Sequence, residues 1–249
     1  MTKRLVCIVW LSSLMLSATV GQAQDAPRPR TLVRAWLMAQ TERGRDLARA
    51  ELRERAEWII DGPTGVRRIG WVAVVSGETG TDQWHREVRS VQADGRRVPR
   101  RRWPQLERQR RSTMGPQAEA AARAVIQLHT MVNRMQPVGQ AVREMVNDTP
   151  CWRVELIPRN DQVPIERYTL WFDRAQGHLV RSRALVRARR QERSLLITTD
   201  YARIEGFDVP RHRRLEGTTQ MKRRLRTYTI LFRYQATYSD YRFFRKERP

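Results

Sequence analysis

Few side chains in this 249-residue chain are of a type and spacing that could do chemistry. The four histidines, His85, His129, His178 and His212, are scattered. Only His129 falls on an expected helix among apolar neighbours, where a satisfied or exposed ring is the ordinary outcome and a metal ligand is not. Glu166 and Asp173 fall on one expected strand and look like a carboxylate pair. Seven residues of strand hold them about 23 Å apart, against the ~5 to 9.5 Å of glycosidic acid/base pairs. Gly-x-Ser-x-Gly, His-Glu-x-x-His, a phosphate loop and Cys-x-x-Cys are all missing from the sequence. The expectation is a protein that is not an enzyme and that holds no metal and no cofactor.

The densest positive patch is Arg96-Arg97-Val98-Pro99-Arg100-Arg101-Arg102-Trp103, with Arg108, Arg110 and Arg111 just beyond. Arg100, Arg101, Arg102 and Trp103 form a candidate site for anionic head groups, and a solvated basic loop satisfies the same pattern. Formal net charge is +22. Such an excess attracts anionic surfaces, including lipid head groups and lipopolysaccharide. Nucleic acid is not the expected partner, because no recognisable nucleic-acid fold accompanies the patch and the chain carries an export signal.

That signal is the first segment. Lys3 and Arg4 precede an uncharged apolar stretch from Leu5 to Val20, and Gly21-Gln22-Ala23 offers small residues to a signal peptidase. Cleavage near Ala23 and a periplasmic location are expected. At 16 residues the stretch is shorter than the ~20 that a membrane-crossing helix needs. Cys7 leaves with it, so Cys151 remains alone and no intrachain disulfide can form.

Residues 24 to 30 read as a flexible lead-in with two prolines, and a single domain is expected from residue 31 to 249. From Thr31 to about Trp58 the Ala, Leu, Arg and Glu content predicts one long helix, or two separated near Gly44, stopped by Gly62-Pro63. Ile69 to Val75 and Trp84 to Val91 read as strands, the second turning at Asp94-Gly95. Residues 97 to 148 read as a helical insert without a strand. Val125, Leu128, Val132 and Met135 share one face of a helix there, broken at Pro137-Val138-Gly139, with a further turn or two over Gln140 to Val146.

From Cys151 onward the pattern is β. Trp152, Val154 and Leu156 alternate against Arg153 and Glu155, and Tyr168, Leu170 and Phe172 alternate in the next strand. That strand turns at residues 173 to 177 into a partner whose one face is Val180, Ser182, Ala184, Val186 and Ala188. Leu195 to Ile204 is followed by a corner over Gly206 to Pro210 and a brief continuation over Arg211 to Leu215. Tyr228, Ile230, Phe232 and Tyr234 then share a face. About eight strands result.

The phrases Trp152-Arg-Val-Glu-Leu-Ile-Pro158, Tyr168-Thr-Leu-Trp-Phe-Asp173, Gly177-His-Leu-Val-Arg181, Asp200-Tyr201 with Gly206 and Val209-Pro210, and Tyr238-Ser-Asp-Tyr241 follow one another over residues 150 to 244. In this order they resemble the outer-membrane lipoprotein carrier (LolA and LolB) superfamily, which residues 31 to 149 match in layout, with fewer strands than that family's barrel. The resemblance implies an α+β fold, a strongly curved antiparallel sheet forming an unclosed half-barrel, with an N-terminal helix and a helical insert over its concave face. It also implies a carrier or sensor of a lipid, a lipoprotein acyl chain or another amphiphile, and a monomer is expected. Hiding such a chain from water is worth about 0.8 kcal/mol per CH₂. Candidate cavity lining is Tyr168, Leu170, Phe172, Val180, Tyr228, Ile230, Phe232 and Trp152, under a cover of Val125, Leu128, Val132 and Met135. The alternative is a basic envelope protein with a filled core that docks on an anionic polymer such as lipopolysaccharide, on envelope lipids or on a membrane protein partner.

Overall fold

The computed structural model describes residues 26–63, 65–78, 84–109, 128–160, 163, 165–186, 195–223 and 226–246. The expected leader with its cleavage point near Ala23 lies outside them, and so do Val125 and Ala188. Helix α1 (Pro29–Gly44) opens on a proline in its first turn, where the missing N–H has no intrahelical partner to lose. Val33, Trp36 and Gln40, spaced three and four apart, make its buried face.

The expected helix continuing to Trp58 is corrected: residues from Leu47 form strand β1 (Leu47–Gly62). Their composition favours a helix, but Leu52, Glu54, Ala56, Trp58 and Ile60 turn inward at every second residue. Both edges of β1 also find partners, β2 (Gly65–Glu78) on one side and β11 (Arg226–Arg245) on the other. Pairing on two edges and burial on one face override the local preference.

Strand β3 (Trp84–Ala93) turns at Asp94-Gly95, with φ of 48° and 77°, into the two-residue β4 (Arg96–Arg97). A 3₁₀ turn (Arg100–Arg102) then leads into α2 (103–109), and α3 (Leu128–Asn133) follows. The second half of the expected insert is corrected. Met135 to Val146 is strand β5, so Met135 sits on a strand, Pro137-Val138-Gly139 ends no helix, and Gln140 to Val146 adds no helical turn. The register shifts between Val138 and Val142, with Gly139 at φ 67°. A proline is tolerated there because β5 is an edge strand.

Asn147 and Asp148, at φ 47° and 61°, reverse the chain into β6 (Thr149–Pro158). Strands β7 (Ile165–Asp173), β8 (Leu179–Val186), β9 (Leu195–Ile204) and β10 (Phe207–Arg223) follow. The turn between β9 and β10 is Glu205-Gly206, so the expected corner through Pro210 is largely strand, and the brief continuation is a 17-residue one.

All pairings are antiparallel, in the order β4-β3-β2-β1-β11-β10-β9-β8-β7-β6-β5, which gives eleven strands among the described residues where about eight were expected. The sheet is not closed. It fits an unclosed half-barrel: one apolar cluster on its inner face draws on strands from β1 to β11 together with α1 and α3. Gly217 permits a close approach within it, since a Cβ there would stand 2.8 Å from Phe232 Cζ and 3.1 Å from Leu195 Cδ1.

A second, small cluster lies across the sheet, where Val146, Cys151 and Trp171 pack together. Burial, with the Asp173 carboxylate adding to it, pushes the Cys151 thiol up to about 11. A thiol-reactive dye should therefore leave the native protein unlabelled at pH 8 and label it fully in denaturant; rapid native labelling would show that this cluster opens.

Candidate ligand-binding face

The register of the strands writes the inner face as rows of side chains. One row runs Tyr168, Ala184, Ile197, Leu215, Tyr234, Trp58 and Ile69 from β7 to β2. The next runs Val154, Leu170, Ser182, Thr199, Arg213, Ala236, Ala56 and Trp71. In its middle the small residues Ser182, Thr199, Ala236 and Ala56 flank Arg213. At one end Trp58 stacks on Phe232 with centroids 5.4 Å apart, and Tyr234 lies between Trp58 and Trp71 at 6.1 and 5.9 Å. At the other end Phe172 meets Trp36 of α1 at 6.0 Å.

Arg213 stands in the middle of that row and is 5% exposed. Its Nε donates to Thr199 Oγ1 at 3.3 Å and its guanidinium lies 5.5 Å from the Tyr238 ring centre. No ion pair ties it to a carboxylate among the described residues. The phenols of Tyr168, Tyr201, Tyr234 and Tyr238 surround it, and burial pushes each of them upward, so all four are neutral near pH 7. Tyr201 OH and Ser182 Oγ are 3.1 Å apart. The fully buried Tyr168 hydroxyl lies beside both. The indole N–H of fully buried Trp58 also finds no acceptor among the described residues.

Glu54, the buried carboxylate among the described residues, is committed elsewhere. Glu54 accepts from Arg86 Nε at 2.5 Å through one oxygen and from Tyr234 OH at 2.6 Å through the other.

Helix α1 is held to this face by one carboxylate. Asp208 Oδ2 accepts from Trp36 Nε1 at 2.8 Å, from Gln40 Nε2 at 3.1 Å and from the backbone N–H of Leu179 at 2.9 Å. Arg43, near the helix end, packs over Gly206, where a Cβ would come within 3.4 Å of its Nε.

Of the cavity residues named from sequence, Tyr168, Leu170, Phe172, Trp152, Ile230 and Phe232 belong to the inner cluster, and Tyr228 is half-buried at the far end of β11. Val180 is corrected: it packs against Val146, Cys151 and Trp171 on the opposite face. A register shift between Trp171 and Phe172 puts Leu179 inward in its place. Of the cover residues, Val132 is buried from α3 and Met135 from β5, and Leu128 begins α3. Arg100, Arg101 and Arg102 are exposed. Trp103 is not free beside them, since its indole donates to Val98 O at 2.9 Å and its ring packs against the core under Arg100 at 5.7 Å.

Asp173, half of the carboxylate pair rejected on distance, serves its own turn by accepting from the N–H groups of Ala175 and Gln176 at 2.7 and 2.6 Å. Among the described residues no three His, Cys, Asp or Glu side chains gather as a metal site, and no helix is long and apolar enough to cross a membrane. A groove of about 230 Å³ lies on the outer face between Val72, Val74, Arg53, Arg89 and Asp240, where Arg53 and Asp240 already face each other at 3.7 Å.

Sequence reasoning missed Arg213, Glu54 and Asp208. The signal for Arg213 was its two-residue spacing from Leu215 and Gly217, hidden by the register shift between Pro210 and His212.

No family model and no curated protein matches the chain. Solved structures do. A DUF1329 family protein from Desulfovibrio piger is 13% identical over 87% of this chain and 94% of its own, with a TM-score of 0.41. A LolA superfamily protein from Nitrosomonas europaea is 11% identical over 90% and 96%, with a TM-score of 0.39. An outer membrane lipoprotein-sorting protein domain from Vibrio parahaemolyticus is 10% identical over 85% and 93%, also with a TM-score of 0.39. These neighbours include the superfamily that the phrases of residues 150 to 244 resemble. At such scores they assign no role to any residue, and the face described above stands on its own geometry.

Proposed function

We propose that this is an exported, non-enzymatic binding protein that holds an amphiphile with its apolar chain against the inner face of the sheet, beneath α1 and the helical insert. One observation carries the proposal: the centre of the inner face is a run of small residues between aromatic rings, with a buried cation among them that no carboxylate of the described residues pairs. A filled core is built from interdigitating apolar side chains and leaves few polar groups without partners. This face keeps the Trp58 indole without an acceptor and the Arg213 guanidinium without a carboxylate among the described residues, which suits a pocket lined by apolar groups with a few convergent polar ones.

Native mass spectrometry of the protein purified from the periplasm, set against its denatured mass, tests this directly. A discrete excess in the range of a fatty acid or phospholipid, lost on denaturation, is the expected result. Absence of bound mass together with no uptake of an added fluorescent fatty acid would sink the proposal. It would favour the second reading, docking on anionic envelope polymer through exposed Arg100, Arg101 and Arg102, which ionic strength should weaken steeply.

A further inference from the structure

We infer that Arg213 is the head-group contact of the inner face and that it selects amphiphiles with a single negative charge, a long-chain carboxylate above all. The assignment rests on the binding reading above and deepens it.

A guanidinium stays protonated wherever it is placed, so burial cannot neutralise it. A buried charge without a counter-ion costs several kcal/mol, which is why buried cations are ordinarily paired. Arg213 is 95% removed from solvent by its 5% exposure, yet its neighbours are Thr199, alanine and neutral phenols. Glu54 could have supplied the charge and is instead held by Arg86 and Tyr234. Among the described residues no carboxylate stands against the Arg213 guanidinium.

The groups around it share a polarity. Arg213 can only donate, and the Tyr168, Tyr201 and Ser182 hydroxyls lie together near it with the phenols protonated. Donors around a cation, with no carboxylate among the described residues beside them, are complementary to an oxyanion. The charge also sets the class. One guanidinium balances a carboxylate or a phosphodiester, whereas a phosphate monoester would bring an uncompensated second charge into the same low-dielectric site. The adjoining Ala236, Ala56 and Ala184 and the rings of Trp58, Phe232 and Phe172 supply the apolar surface for the attached chain.

The test is equilibrium binding of cis-parinaric acid and of its methyl ester, which share the chain and differ in the charge. Wild-type protein should prefer the acid by about 10- to 100-fold, the scale of a buried hydrogen-bonded charge. That preference should persist at 1 M NaCl, since a buried contact is little screened, whereas adsorption on surface arginines would vanish. Arg213→Met should lose the preference for the acid over the ester, and Arg213→Lys should restore part of it.

Equal wild-type affinity for acid and ester, or a preference abolished by salt, overturns the assignment while leaving the binding reading intact. Binding of neither probe overturns both. If Arg213→Met does not fold, the wild-type comparison at low and high salt decides by itself. Lysophosphatidylglycerol competing as well as the fatty acid would place a phosphodiester in the same singly charged class, and competition by a lysophosphatidic acid of equal chain length at pH 8 with greater strength than either would overturn the single-charge selection.

Discussion

Replacing Asp208 with alanine should lower the stability of the protein by about 3 kcal/mol and free helix α1 from the sheet. Three donors converge on one oxygen: the Trp36 indole, the Gln40 amide and the Leu179 backbone N–H. Hydrogen bonds to a charged acceptor contribute about 1.5 to 3 kcal/mol each when taken singly, and three that share one oxygen do not add. The loss falls on buried groups, because Trp36 is 4% exposed and Leu179 is fully enclosed. For a chain of this length about 3 kcal/mol lowers Tm by roughly 10 °C. Asp208→Asn keeps an acceptor without the charge and should lose about half as much. Hydrogen exchange distinguishes a local from a global effect: amides of Pro29–Gly44 should exchange faster well below the melting temperature, with those of β7 to β9 still protected. If α1 covers the bound amphiphile, release of cis-parinaric acid should quicken in the same variant. A Tm within about 3 °C of wild type would show that Val33 and Trp36 hold the helix by packing alone.

The C-terminal half of the fold was legible because its strands obey the simplest pattern. Trp152, Val154 and Leu156, then Tyr168, Leu170 and Phe172, alternate without interruption, and all six are buried. The same logic failed where composition and period disagree. β1 is written in Ala, Leu, Arg and Glu, and its inward face includes Glu54, which no hydrophobicity pattern marks as interior. Only the partner strands bring Arg86 and Tyr234 within reach of that carboxylate, 32 and 180 residues away. β5 was hidden by Pro137 and Gly139, ordinary breakers that an edge strand accommodates. Val180 was misplaced because a register shift changes which residues face inward, and alternation counted along a single strand cannot register it. Arg213 and Asp208 escaped for the same reason that they matter. Their partners come from β9, β11, β8 and α1, so their roles exist only once the sheet has formed.

Alkaline titration should unfold the protein cooperatively between about pH 11 and 12, with all of its buried tyrosines ionising in one step. Burial raises the phenols of Tyr168, Tyr201, Tyr234, Tyr238 and Tyr241 above their ordinary value of 10.0. Below pH 10 each is protonated in both the folded and the unfolded chain and contributes no pH dependence. Above it the unfolded chain gives up protons that the folded chain retains, so stability falls as pH rises. Each such tyrosine removes at most about 1.4 kcal/mol per pH unit, and five together at most about 7. The ~5 to 15 kcal/mol that holds a typical domain would be exhausted within one or two units. Charge repulsion is not the cause, because the chain has only three lysines, Lys3, Lys222 and Lys246, and its arginines keep it cationic throughout. Absorbance at 295 nm and far-ultraviolet circular dichroism, followed together from pH 8 to 12, check this. The two should change at one midpoint, and a saturating long-chain fatty acid should move that midpoint upward if its carboxylate sits on Arg213. Ionisation of all six tyrosines near pH 10 with the strand signal unchanged would mean that water already reaches the ring of phenols around Arg213. A cation in that setting would be solvated and would need no bound anion.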